Sequence, residues 1–150
     1  MESASDPRLK SSNHYDRDEI IALLDEFYQF LGSLPHIKPF QVLQPPVGGW
    51  DNITTHSCAG LKKNDEVISL LKHLPYIDMD NHQHLVAWDT YACDYRGRAF
   101  QRWTTQDPNT VTGWGFPYVP GADFPPWVIP LTFGIENVST FLILDTTDGE

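Results

Sequence analysis

The segment DMDNHQH sets Asp78, Asp80, His82 and His84 at alternate positions. Held extended, it would direct all four side chains to one face, because strand side chains alternate with period two. Two imidazoles and two carboxylates are competent ligands for zinc or another divalent ion. The competing reading is a solvated polar loop released by Pro75. No other motif supplies a distant ligand, so the loop is the expectation and no cofactor is assigned.

Proton transfer is the second chemistry these residue types allow. Asp89, Tyr91, Asp94, His82 and His84 lie close together in the chain and would serve as acid–base groups of a small isomerase, cyclase or hydrolase. Nothing in their spacing requires them to meet. The chain also has no G-x-S-x-G elbow, Walker loop, Rossmann glycine fingerprint or H-E-x-x-H helix. Catalysis is therefore the alternative reading.

The third chemistry is recognition by aromatic rings. Ten Trp, Tyr and Phe residues crowd between Trp88 and Trp127, several beside Gly or Pro. Rings in such a region either anchor a long loop or form the hot spot of an interface. The contact set expected for a partner is Trp103, Trp114, Tyr118, Phe124 and Trp127, with Asp107 and Asp123 at its rim.

Charge narrows the partner. The 150 residues carry a formal charge of −10, the wrong sign for a nucleic-acid backbone. Arg102 is the last basic residue, and every charged side chain after it is acidic. No apolar run approaches a membrane span, and the polar start MESASDPRLKSS is unlike a signal peptide. The expectations are no nucleic acid, no membrane and a cytoplasmic or nuclear protein. Cys58 and Cys93 lack metal or redox spacing and leave their disulfide state open.

Two helices must position these groups. Residues 1–14 read as a flexible tail. Asp16 then caps a helix with Glu19 three residues on, and Ile20, Leu24, Phe27 and Leu31 form its apolar stripe. Gly32 suits its C-terminal exit. Four prolines between residues 35 and 60 predict an irregular connection. A second helix starts at the Asn64 cap, buries Val67, Ile68, Leu71 and Leu74, and stops before Pro75. HLVAWDTY, AFQRW, WVIPLTF and STFLILDT read as strands, with Pro130 restricting its strand to an edge or bulge. Asp148-Gly149 signals a hairpin turn followed only by Glu150, which suggests truncation at the C-terminus or an open sheet edge.

Two resemblances add to this. Tyr15, Arg17 and Glu19, then Pro45, Pro46, Gly49 and Trp50, then Leu70, Leu71, His73, Leu74, Pro75, Tyr76 and Ile77 resemble the motifs of an uncharacterised fungal protein family, across about residues 15–95. That likeness implies no particular activity. The run Leu142, Ile143, Leu144 and Asp145 with Gly149 is similar to the late strands of SUKH-type domains. Members of that superfamily act by binding other proteins, so the resemblance implies a non-enzymatic interaction role.

The expected fold is α+β: two N-terminal helices packed on a small mixed or antiparallel sheet with a long aromatic loop, all within one domain over residues 15–150. The expected function is a protein-interaction module acting through its aromatic, acidic C-terminal half. A homodimer through an open sheet edge is the second route to association.

Overall fold

A computed structural model describes residues 14–81, 84–104, 124–134 and 139–148, the Trp103 side chain excepted. It has the expected α+β character, with helix α1 over Arg17–Gly32, α2 over Asp65–His73 and α3 over Arg98–Thr104. The strands are β1 (Val42–Leu43), β2 (Tyr76–Ile77), β3 (Leu85–Ala87), β4 (Thr90–Ala92), β5 (Val128–Pro130), β6 (Thr132–Gly134) and β7 (Ile143–Asp145).

The helix starts follow local chemistry. The Asp16 carboxylate accepts the amides of Asp18 and Glu19, and Asn64 accepts that of Val67. These side chains satisfy donors that the first helical turn cannot pair internally. At the other end of α1, Gly32 remains inside the helix and Ser33 forms the cap.

Among the described residues the strands form separate sheets rather than one, and every pairing is antiparallel, in the orders β1–β2, β3–β4–β6 and β5–β7. The run WVIPLTF divides at Leu131 and gives one strand to each of two sheets. HLVAWDTY folds on itself as the β3–β4 hairpin, with Trp88 and Asp89 at its tip and Asp89 at φ 45°. The connection expected to be irregular supplies β1, which pairs with β2 directly after α2.

AFQRW is helical, contrary to the strand reading. Its two aromatic residues suit a strand, but Phe100 and Thr104 are buried at helical spacing. The Asp80 carboxylate accepts the Arg98 amide, and Gln101 donates to the Tyr95 carbonyl. The group that satisfies the start of α3 therefore lies far away in the chain.

Two apolar clusters hold these elements. The larger collects Ile53, Leu61, Val67, Leu70, Leu71, Leu74, Tyr76, Tyr95, Phe100, Ile129, Phe133 and Leu144. The smaller places Tyr28 and Leu31 of α1 against Ile37, Val42, Ile77 and Ala92. Leu24 packs against both.

Candidate interaction surface

The apolar stripe of α1 is only partly covered. Leu31 is buried, but Ile20 and Leu24 are half-buried, and Phe27 and Leu23 are 37% and 56% exposed. With Leu131, Leu142 and Leu144 these four residues line an open groove of about 290 Å³. One wall is α1 and the other is the β5–β7 ribbon. Leu144 seats its side chain in the core, whereas Leu142 stays 45% exposed. Phe141 and Ile143, beside it, are exposed as well.

The helical wall is acidic. Glu19 and Glu26 lie four residues before and three after Leu23, so they flank it on the helix surface. Both are exposed, and neither makes an ion pair among the described residues. Arg17, the only basic residue of α1, is engaged with Asp18 and with the Ser69 hydroxyl. On the other wall Asp145 follows Leu144, its carboxylate accepting from Thr147.

Asp78, Asp80, Asp94, Arg96 and Arg98 form a separate clasp. Arg96 Nη2 lies 3.1 Å from Asp78 and 3.2 Å from Asp94, while Arg98 approaches Asp80 at 3.5 Å. Asp94 is fully buried and also accepts the amides of Met79 and Gly97. Burial pushes its carboxyl up to about 6, against the Arg96 guanidinium and the Met79 amide, which pull it down. Asp78 is also pushed up by burial, but bonds from Asn81, the Asp80 amide and Arg96 outweigh this and hold it below the ordinary value. The Arg96 guanidinium lies 5.6 Å from the Trp50 ring centre, so the clasp joins three loops.

Each described candidate from the sequence has its own structural partners. The 78–81 stretch is a turn, not a strand, and the Asp78 carboxylate accepts the Asp80 amide and the Asn81 side chain. His84 faces Gln41 at 2.6 Å. No group of three His, Cys, Asp or Glu able to hold a metal occurs among the described residues. Asp89 accepts from the Ser139 hydroxyl, and Tyr91 stacks on Phe133 at 5.5 Å. None of Asp89, Tyr91, Asp94 and His84 lines the groove.

Of the expected partner contacts, Phe124 and Trp127 are described, each about 40% exposed where the chain enters β5. Lys63 donates to the carbonyls of Phe124 and Pro125, and burial lowers its amine to about 8. His82, the Trp103 side chain, Asp107, Trp114, Tyr118 and Asp123 lie outside the described residues, as does Gly149 of the expected turn. Leu23 was not among the expected contact residues, whereas Leu142 lies in the run expected to leave an open sheet edge. The available signal was the breadth of the α1 apolar face, wider than the narrow seam a single packing contact needs.

No helix among the described residues is long and apolar enough to cross a membrane. No protein-family model, curated protein or solved structure matches the chain.

Proposed function

We propose that this protein is a non-enzymatic interaction module that holds a protein partner in the groove between α1 and the β5–β7 ribbon. The observation that carries this reading is the wall-to-wall apolar lining of Ile20, Leu23, Leu24, Phe27, Leu131, Leu142 and Leu144. A helix normally buries its apolar stripe against its own core. Here part of that stripe is left facing water beside exposed Phe141, Leu142 and Ile143. A contiguous apolar patch rimmed by polar groups is the usual mark of an interaction site. The likeness of Leu142–Asp145 to SUKH-type strands, whose owners bind proteins, points the same way. Exposed Phe124 and Trp127 are further contact candidates, and Trp103, Trp114, Tyr118, Asp107 and Asp123 stay candidates from the sequence alone.

The test is a paired comparison in the full chain. A partner isolated with the wild-type protein is purified and titrated against wild type and a Leu23→Glu/Leu142→Glu variant. The expected result is an unchanged thermal midpoint and loss of binding by at least about a hundredfold, as for hot-spot residues. A folded variant that binds as well as wild type refutes the groove as the docking face.

A further inference from the structure

The two edges of the β5–β7 ribbon differ in what they offer another strand. Leu131 donates its amide to the Leu142 carbonyl, and Thr146 donates to Trp127, with Ile129 opposite Leu144 between them. Antiparallel pairs alternate between bonded and non-bonded positions. Ile143 and Asp145, opposite Pro130 and Val128, therefore turn their N–H and C=O groups away from β5.

The outer edge of β5 is already blocked. The Val128 amide is taken by the Pro125 carbonyl, and Pro130 has no N–H. The Pro130 carbonyl accepts the buried Tyr95 hydroxyl at 2.6 Å. On the β7 side, no partner for the outward backbone groups of Ile143 and Asp145 lies among the described residues. Among the described residues, the edge with unused ladder positions is thus the one whose Leu142 and Leu144 form a wall of the groove.

We infer that the occupant is an extended segment of a partner protein, alternating apolar with Lys or Arg residues, which adds as a strand to β7. Strand addition draws affinity from main-chain bonds and specificity from pockets for alternate side chains. The apolar residues of the segment enter the groove beside Leu142 and Leu144. Its basic residues face the other side of the ribbon, where Asp145 lies across the pair, while Glu19 and Glu26 along α1 add negative potential at the groove. A second copy of this chain fits less well, because it would set these carboxylates against their own kind, and like charges placed opposite each other destabilise a strand pair. This inference rests on the groove being the docking face.

The experiment uses the full chain and end-capped peptides of about eight residues. One alternates Val with Lys and Arg; a second carries N-methyl groups on alternate amides; a third replaces its basic residues with Glu. Binding is followed by fluorescence anisotropy, and the Ile143 and Asp145 amides by hydrogen exchange. The expected result is binding of the basic peptide with protection of both amides. N-methylation weakens it at least about tenfold, and added salt weakens it several-fold. Ile143→Pro removes an outward N–H that β5 does not use, so this variant is expected to fold and to lose the peptide. Asp145→Lys is expected to favour the acidic peptide.

Equal binding of the basic peptide and its N-methylated form overturns strand addition while leaving the groove as a docking face. Failure of both to bind also overturns it; whether the docking reading falls too is then read from the Leu23→Glu/Leu142→Glu comparison. Amide protection that rises with protein concentration in the absence of peptide identifies a second copy as the occupant and overturns the basic partner.

Discussion

The Asp94 carboxylate, sealed from solvent, lies 3.2 Å from the Arg96 guanidinium, which in turn reaches Asp78. Its proton is nevertheless held to about 6, above the ordinary 3.8. Burial of the charge outweighs the ion pair, the outcome expected when desolvation exceeds Coulombic gain.

That relationship fixes the sign of a pH effect. Between about 4 and 6 the folded protein keeps a proton on Asp94 that the unfolded chain has lost, so this group makes stability fall as pH rises. The two values correspond to ~3 kcal/mol at most. Asp78 acts in the opposite sense: its depressed value contributes stability that is lost as pH falls through its folded pKa. Arg96 and Asp80 are the other charges facing Asp94. Urea unfolding across this range should show the fall in wild type and a flatter profile in Asp94→Asn. A wild-type slope of the opposite sign that Asp94→Asn removes would show that the arginine wins.

Gly49 is required by its backbone. Its φ is 80°, and an added Cβ would stand 2.6 Å from the Lys72 carbonyl oxygen. That carbonyl accepts the Trp50 amide, and the Trp50 indole donates to Leu74. Gly49→Ala should therefore cost about 2 kcal/mol or more through combined strain and clash. Gly48, with open space around it, should tolerate Ala at a fraction of that cost. Thermal unfolding of the two variants makes the comparison.

Tyr95 holds the β5 edge closed. Its buried hydroxyl donates to the Pro130 carbonyl at 2.6 Å, so Tyr95→Phe leaves an acceptor unpaired. The expected loss is about 1–3 kcal/mol. Denaturant titration should show the midpoint falling with little change in slope.

Groove and core leucines should separate cleanly. Leu144 is 5% exposed and belongs to the larger cluster, so Leu144→Ala is expected to cost about 2–5 kcal/mol. Leu23 is 56% exposed, so Leu23→Ser should change stability by about 0.5 kcal/mol or less. A large loss at Leu23, read by the same unfolding assay, would make the α1 wall a structural contact rather than a docking face.

Cys58 and Cys93 are free and buried, and burial raises both thiols. At pH 8 neither should react with a thiol reagent at an appreciable rate until the chain unfolds. Labelling followed through a denaturant series should track global unfolding. Rapid modification of native protein would place a thiol at the surface.

Helices α1 and α2 were legible because their signals are local. Asp16 and Asn64 cap within three residues of their own positions, and Pro75 stops α2 by its covalent structure. Strand boundaries were less legible. WVIPLTF reads as one run but bends at Leu131, where the Cys93 amide and the Leu142 carbonyl both bond to Leu131. AFQRW became helical with help from Asp80, a residue no local window contains.

What the sequence determined by itself was the α+β character, the acidic balance, the two long helical patterns and the restriction that Pro130 places on its strand. Each follows from periodicity, charge or a fixed torsion, which a chain carries wherever it goes. The tertiary structure alone decided which apolar residues stay exposed. Leu23 and Phe27 have the same side-chain chemistry as Leu31, yet only Leu31 met a closed core. It likewise decided that Asp94 is buried beside Arg96 while Asp145 remains at an edge. Burial depends on partners contributed by distant segments, such as Val42 with Ile77 or Tyr91 with Phe133, and no spacing within a single segment encodes them.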